Sequence, residues 1–203
     1  MESDSYKTIK SFSQGIYKEK GSRFIAYAYP VSMHEEIKPI IEKIRKEYHE
    51  AKHHSYAYMI GPDRLNWRIN DDGEPSGTAG RPILGQINTY GLTNILIVVT
   101  RYFGGTHLGI SGLTNAYRTA AVSAINNADI IECTVVEYFE IRFPYIAIND
   151  VMKIVKEENL GQSDQSFELE CHIKIDMRML AREKVMNRFS RIKGLTFKYL
   201  ETK

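Results

Sequence analysis

The sequence predicts an α+β protein built from two domains. Strand-like and helix-like segments are mixed over residues 1–132, and the pattern restarts near Cys133. After that point the segments follow the order strand, helix, strand, strand, helix, strand, which is typical of a ferredoxin-like unit. We therefore expect an α+β N-terminal domain over residues 1–132 and a ferredoxin-like C-terminal domain over residues 133–203.

The first elements are indicated by aromatic and apolar residues. "SRFIAYAYPV", Ser22 to Val31, partly alternates and is rich in aromatic and β-branched residues, which favours a strand. Ser32 and Glu35 have the spacing of a capping box, which predicts the start of a helix. Pro39 is expected to kink that helix or to mark a later start. The apolar face of the helix is predicted at Ile37, Ile40, Ile41, Ile44 and Tyr48.

The middle of the N-terminal domain is expected to contain a strand pair, a loop and a buried strand. "HSYAYMIG" and "RLNWRIN" predict paired strands, with "GPD" as their turn. "DDGEPSGTAGRPIL", Asp71 to Leu84, is dense in helix and strand breakers, so a loop is expected before a short helix at Ile83 to Thr89. The continuous apolar run in "NILIVVTRYF" indicates a central strand covered on both faces. A helix is predicted from Leu113 to Ala128, with alanines every four residues that let it lie close to the sheet.

The C-terminal domain is predicted from a second series of patterns. "TVVEYFEIRFPY" favours a strand, and Asn149 can cap a helix that ends at Gly161. "SFELECHIKIDMR" alternates as one or two strands. A second helix carries Leu180, Val185, Phe189 and Ile192 and ends at Gly194, and "LTFKYLE" is the last strand.

Composition places the chain among ordinary globular proteins. It has 203 residues, of which 43% are hydrophobic and 26% are charged, and its formal net charge is only +2. Any contact with a polyanion must therefore be a local patch. The two cysteines, Cys133 and Cys171, cannot form a disulfide framework, which favours a reducing compartment. No apolar run reaches the length of a membrane span, and the polar N-terminus is no secretory signal, so we expect a cytoplasmic protein without a membrane partner.

The segment "TRYFGGTHLGISG", Thr100 to Gly112, joins the central strand to the following helix. Its glycines precede the helix and Arg101 supplies a cation, an arrangement that can hold an anion on backbone N–H groups. Neither the P-loop pattern nor G-x-G-x-x-G fits these glycines. The other interpretation is that the glycines serve only tight packing and positive φ angles, and it is somewhat favoured.

The acidic segment "DDGEPSGTAGR" has three carboxylates within four residues. Such carboxylates can bind a divalent cation or act as general acid and base. Their spacing is not that of an EF-hand loop, and capping of turns or pairing with Arg81 and Arg101 is favoured instead. No G-x-S-x-G elbow surrounds the hydroxyl groups, which makes them poor nucleophiles. The possible site carboxylates and hydroxyls are Asp71, Asp72, Glu74, Ser76 and Thr78.

The histidines do not predict a metal site. His53 and His54 are adjacent, so they point to opposite faces of a strand and cannot easily ligate one metal together. His107 can join one of them only in three dimensions, and a set of about four zinc ligands cannot be assembled. We predict no metal and no cofactor, and His53 remains a possible site histidine.

Three stretches together resemble one protein family. "DDGEPSGTAGRPIL", "VVTRYFGGTHLGISGLTNAYRTAA" and "KGSRFIA" closely resemble the IMPACT family in its bacterial, YigZ-type form. The resemblance implies an N-terminal domain similar to the second domain of a small-subunit ribosomal protein, an α+β fold also found in elongation factor G and in small-molecule kinases. It implies a C-terminal domain resembling the last, ferredoxin-like domain of elongation factor G. The family often has A-x-H-x-C where this chain has Ala51 to Ser55, so a thiol nucleophile or thiolate ligand is excluded there.

The resemblance also implies a role in translation. Eukaryotic relatives act in translational control by competing for a partner that activates a kinase sensing amino-acid starvation, and bacterial members suggest association with nucleic acid or the ribosome. We expect a non-enzymatic RNA- or ribosome-associated protein of translation or its regulation. The alternatives are an enzyme acting on a small anionic substrate, such as a phosphate ester or peptide, and a protein-interaction module. The expected anion- or nucleic-acid-binding residues are Lys20, Arg23, Arg81, Arg101, Tyr102, Gly104, Gly105 and Arg118.

Overall fold

The structure, a computed structural model, describes residues 4–203. Residues 1–3, which the predicted N-terminal domain includes, lie outside the described residues. The protein is a mixed α/β protein of two units. The N-terminal unit is Tyr6–Cys133, and the C-terminal unit contains residues 134–203 together with Asp4 and Ser5. None of the helices in the described part of the chain is long and apolar enough to cross a membrane.

The N-terminal unit contains most of the helices and strands. Its strands are β1 (Ser5–Ile9), β2 (Ser13–Glu19), β3 (Ser22–Pro30), β4 (His53–Ile60), β5 (Asn66–Asn70), β6 (Ile95–Tyr102) and β7 (Ile130–Thr134). Its helices are α1 (His34–Glu47), α2 (Gly80–Thr89) and α3 (Gly109–Asn126). Strands β1 and β7 pair in a separate two-stranded sheet.

The main sheet of this unit has five strands in the order β2-β3-β6-β4-β5, and every neighbouring pair is antiparallel. Strand β6 lies in the centre, as its apolar run predicts. Ile97 and Val99 face a core formed with α2 and α3, while Leu96 and Val98 face a second core formed with α1. We call these the α2/α3 face and the α1 face. Cover on both faces explains why β6 lacks the polar alternation of a half-exposed strand.

Two helix boundaries differ from the sequence prediction for identifiable reasons. Helix α1 continues through Pro39, and the carboxylate of Glu36, rather than Glu35, accepts from the backbone N–H groups of Ser32 and Met33. Helix α2 begins at Gly80 because the side chain of Asp71, nine residues earlier, accepts from the N–H of Gly80. The pattern of α2 alone does not contain this cap.

Three short strands, β1, β2 and β7, were not predicted. β2 pairs with β3 along its whole length, so its position comes from its neighbour rather than from its own polar sequence. The predicted close approach of the alanine-rich helix is confirmed at this strand. A Cβ placed on Gly15 would lie 2.2 Å from the backbone nitrogen of Ala124, which leaves no room for a side chain.

The C-terminal unit has the element order that the sequence predicts. Its elements are β8 (Val136–Pro144), α4 (Ile148–Glu157), β9 (Gly161–Phe167), β10 (Glu170–Arg178), α5 (Arg182–Phe189) and β11 (Thr196–Thr202). The four strands form one sheet in the order β11-β8-β10-β9. Both helices pack on the same apolar core, where Val151 and Val185 meet Ile141 and Ile173.

Candidate functional site

Two loops of the N-terminal unit that are distant in sequence meet at one cleft. The acidic loop, residues 71–79, connects β5 to α2, and the glycine loop, residues 103–108, connects β6 to α3. Together with the start of β4 they line a cleft of about 580 Å³. Its polar residues are Lys52, His53, Glu74, Arg101 and His107. The acidic segment and the glycine segment, each singled out in the sequence, therefore lie side by side.

Arg101 and Glu74 form a buried ion pair at the floor of this cleft. Arg101 Nη1 donates to both carboxylate oxygens of Glu74, at 2.7 and 3.0 Å, and the Glu74 side chain is only 2% exposed. The hydroxyl of Tyr117 donates to Glu74 Oε1 at 2.8 Å. Burial, followed by the nearby Glu74 carboxylate, raises the pKa of the Tyr117 hydroxyl, which therefore stays protonated as a donor. The sequence left two roles open for Arg101, binding of an anion or pairing with a carboxylate of the acidic segment. The structure shows the pairing.

The ring of His53 is held by the backbone carbonyl group of Asp72, and its other nitrogen faces Glu74. His53 Nδ1 lies 2.8 Å from the carbonyl oxygen of Asp72. A carbonyl oxygen only accepts, so Nδ1 carries a proton and the neutral ring has its lone pair on Nε2. Nε2 lies 3.9 Å from Glu74 Oε1. His53 lies opposite Arg101 in the β4–β6 register, which explains why these side chains share a face.

The two aspartates of the acidic loop are used structurally. The Asp71 carboxylate accepts from the N–H groups of Gly77, Ala79 and Gly80 at 2.8 to 3.0 Å. Asp72 accepts from the backbone N–H of His54 at 2.7 Å and pairs with Arg45. Both carboxylates are used in these contacts. Of the three carboxylates in the acidic segment, only Glu74 lines the cleft.

The hydroxyl residues of the acidic loop do not face a reacting group. Thr78 is buried and its Oγ1 donates to the carbonyl oxygen of Pro75 at 2.6 Å. Ser76 is exposed. Among the described residues neither hydroxyl forms a hydrogen bond with His53, and Thr78 serves to close a turn.

Gly104 has a packing role in the glycine loop. A Cβ on Gly104 would lie 1.9 Å from the backbone carbon of Gly21, and its own N–H is donated to Ser22 Oγ at 3.1 Å. That N–H, which we expected to face an anion, is thus already used. Gly105 has a φ of 88° with open space around it, so its glycine is required by backbone conformation.

The predicted cationic patch is divided between two faces of the sheet. Arg101 points to the α2/α3 face, whereas Tyr102, the next residue in β6, packs with the α1 face. Arg23 lies opposite Tyr102 in the β3–β6 register, and its guanidinium sits 4.4 Å above the tyrosine ring. Side chains alternate along a strand, so consecutive residues could not form one surface.

The remaining predicted cations are exposed. Lys20 lies in the tight turn between β2 and β3, with a φ of 45°. Arg81 is in the first turn of α2 and Arg118 is on the outer side of α3. Neither arginine forms an ion pair with another described residue or lines the cleft.

Sequence reasoning missed Tyr117 and Lys52. Tyr117 is fully buried between Ala116 and Ala120 on the apolar side of α3. A tyrosine hydroxyl on such a face needs a polar partner, which was the available signal. Lys52 is exposed beside His53.

Within residues 4–203 no group of three or more His, Cys, Asp or Glu side chains is arranged to hold a metal ion.

Sequence comparisons match the part of the chain that contains the acidic loop and the glycine loop. Residues 20–125 match the family described as the Impact N-terminal domain. The chain is 33% identical over 188 residues to the IMPACT family member YvyE of Bacillus subtilis, covering 92% of this chain and 84% of that protein. The chain belongs to the IMPACT family. The IMPACT family member YigZ of Escherichia coli is 34% identical over 147 residues, which are 71% of this chain and 70% of that protein.

A solved structure extends the likeness of this IMPACT protein to both units. A crystal structure described as that of a hypothetical protein is similar with a TM-score of 0.74 and 26% identity, covering 98% of each chain. All the predicted site residues, from Lys20 to Arg118, lie within the matched range 20–125. Ser55, where the resemblance implies a cysteine in many members, is buried, and its Oγ donates to the carbonyl oxygen of Asp71 at 2.7 Å. The serine therefore supports the acidic loop.

Proposed function

We propose that this IMPACT-family protein acts in translation or its regulation by associating with RNA or the ribosome in the cytoplasm. Family membership supports the translational part, since the resemblance implies that eukaryotic members control translation. The strand order β11-β8-β10-β9 with two helices supports the ferredoxin-like part of the likeness to elongation factor G. We also propose that the N-terminal unit is similar to the second domain of a small-subunit ribosomal protein, as the family resemblance implies.

The observation that carries the proposal is the exposed Arg23 on the ring of Tyr102. The guanidinium lies 4.4 Å from the ring centroid, and no ion pair occupies it among the described residues. A guanidinium supported in this way presents its donors to a phosphate and its plane to a base. Lys20 is exposed in the neighbouring turn, whose Gly21 touches Gly104 of the glycine loop. We call Lys20, Arg23 and Tyr102 the turn patch.

Binding of a labelled single-stranded RNA at several salt concentrations tests the turn patch. Each phosphate contact removed should lower the slope of log affinity against log salt by about 0.7. We therefore expect Arg23→Ala and Lys20→Ala each to flatten the slope and to weaken binding to all RNA sequences alike. The matched control is Lys38→Ala on α1, whose side chain is 83% exposed and paired with Glu42.

The same variants should be compared in co-sedimentation with ribosomes at graded salt. The proposal predicts that the wild-type protein pellets at low salt and that Arg23→Ala is released at lower salt than Lys38→Ala. Wild-type protein that binds neither RNA nor ribosomes even at low salt contradicts the proposal. Equal salt dependence of all variants would remove the turn patch from it.

A further inference from the structure

The cleft between the acidic and glycine loops has a polar floor that is more elaborate than stability requires. Replacing a buried ion pair by apolar residues is often neutral or stabilising, so the Arg101–Glu74 pair is poorly explained as a device for stability. The pair is also not in the centre of the core, because both residues line an open cleft. Ligand pockets are concave, mostly apolar and carry a few precisely placed polar or charged groups, as this cleft does.

The floor of the cleft contains one buried donor that has no partner within residues 4–203. Glu74 accepts from Arg101 and from Tyr117, so its carboxylate is well satisfied. The Nε of Arg101, in contrast, has no hydrogen-bond partner among the described residues, although the side chain is only 8% exposed. An unpartnered buried donor requires an explanation, and it makes the floor attractive to an acceptor.

The charged side chains that line the cleft also favour a negatively charged ligand. Lys52 and Arg101 contribute two positive charges and Glu74 one negative charge, so the excess is one positive charge with neutral histidines. Because Nδ1 of His53 is bound to the carbonyl oxygen of Asp72, its Nε2 is an acceptor, so a ligand carboxylate is expected nearer to Lys52 and Arg101 than to His53. His107 adds a second imidazole on the glycine loop. This set matches a ligand with a single negative charge.

The rim of the cleft is apolar. Phe103 is 46% exposed and Ile110 is 70% exposed, and both line the cleft together with Pro75 and Leu113. The volume of about 580 Å³ is in the range of small-molecule sites. An anion without an apolar group would leave this rim exposed to water.

We propose that the cleft binds a small carboxylate that carries an apolar side chain. The carboxylate lies toward Lys52 and Arg101, and the apolar side chain lies against Phe103 and Ile110. Such a group occurs both in free N-acyl amino acids and at the C terminus of a peptide. This site is separate from the turn patch, because Arg23 and Tyr102 belong to the α1 face of the sheet.

The test uses N-acetylphenylalanine and the full chain, with binding followed by calorimetry and by NMR of the His53 ring and the Ile110 methyl groups. A ligand of this size is expected to bind with a Kd of about 1 mM. N-acetylphenylalanine amide, which lacks the charge, and N-acetylglycine, which lacks the apolar side chain, should each bind about tenfold more weakly or worse. An N-acetylated tripeptide ending in phenylalanine distinguishes the two sources: tighter binding than the free acid favours a peptide terminus, and weaker binding a free acid.

Side-chain variants separate binding from folding. Lys52→Met removes the ammonium group of an exposed side chain and keeps an apolar stem, so it should weaken acid binding about tenfold without changing the affinity for the amide. Ile110→Ala should weaken the acid and the amide alike, whereas Ile146→Ala, a 91% exposed isoleucine of the C-terminal unit, should change neither. Absence of binding at about 10 mM, equal affinity for acid and amide, or insensitivity to both cleft variants would overturn the proposal. Arg23→Ala should leave this affinity unchanged, so this inference can fail while RNA association stands.

Discussion

Arg101 and Tyr102 are consecutive residues at the end of β6, yet they belong to two different environments. Arg101 is 6% exposed and paired with Glu74 on the α2/α3 face. Tyr102 packs on the α1 face, where the guanidinium of Arg23 covers its ring and is exposed to solvent. The same chemical group, a guanidinium, is thus an internal structural charge on one face and an available surface charge on the other. Strand alternation, which is a backbone property, assigns these roles.

The largest expected effect concerns the buried pair. Glu74→Gln leaves the charge of Arg101 without its partner in a buried position, so the free energy of unfolding should fall by about 3–5 kcal/mol. Urea denaturation of the variant and the wild type measures this difference. Glu42→Gln, which removes the exposed partner of Lys38, is the control and should change stability little.

A double variant sharpens the interpretation of that result. Glu74→Gln combined with Arg101→Gln removes both charges, so part of the lost stability should return. Equal stability of Glu74→Gln and the wild type would show that the α2/α3 face does not depend on this pair.

A smaller effect is expected where the glycine loop crosses the turn between β2 and β3. Gly104→Ala places a Cβ 1.9 Å from the backbone of Gly21, and the resulting shift should cost about 1–3 kcal/mol. Gly105→Ala meets no neighbour but has a φ of 88°, so only the strain of a left-handed backbone, about 1 kcal/mol, is expected. Denaturation curves that rank Gly105→Ala as the more harmful change would contradict the packing explanation of Gly104.

The adjacent histidines predict a pH dependence on the α1 side. Burial lowers the pKa of His54 below its ordinary value, and Arg45 and His53 add to this while Asp72 and the Tyr48 carbonyl oppose it. The unfolded chain then binds a proton more readily than the folded one. The stability contributed by neutral His54 is therefore complete above the ordinary pKa of about 6.5 and is lost as the pH falls below it.

Unfolding free energies at about pH 7.5 and pH 5.5 measure this contribution. His54→Gln keeps a donor for the carbonyl oxygen of Tyr48 and cannot be protonated, so its stability should depend less on pH across this interval. A variant with the same pH dependence as the wild type would assign the effect to another group.

The smallest effect on stability is expected at Arg23. Its side chain is exposed and its ring contact with Tyr102 is a surface contact, so Arg23→Ala should change the unfolding free energy by about 1 kcal/mol or less. The comparison between the two faces predicts the opposite pattern for function: a small loss of stability with a clear loss of salt-dependent RNA binding. A large loss of stability in Arg23→Ala would mean that this guanidinium is as structural as Arg101.

Much of the fold could be predicted from local sequence patterns. The apolar run of β6 predicted a strand covered on both faces, and the alanines at 116, 120 and 124 predicted a helix lying close to the sheet. The strands β1, β2 and β7 could not be predicted in this way, because their local patterns are too weak and each becomes a strand by pairing with a neighbour.

In the candidate site, too, some features follow from local sequence and others only from long-range contacts. The sequence by itself determined which residue types are concentrated in the acidic and glycine loops, because those motifs are local and contain the charges, glycines and aromatic residues. Only the tertiary structure decided that Glu74, rather than Asp71 or Asp72, meets Arg101, and that Tyr117 completes the group. The physical reason is that these contacts depend on the long-range pairing of β6 with β3 and β4, which brings residues together that are 27 and 43 positions apart.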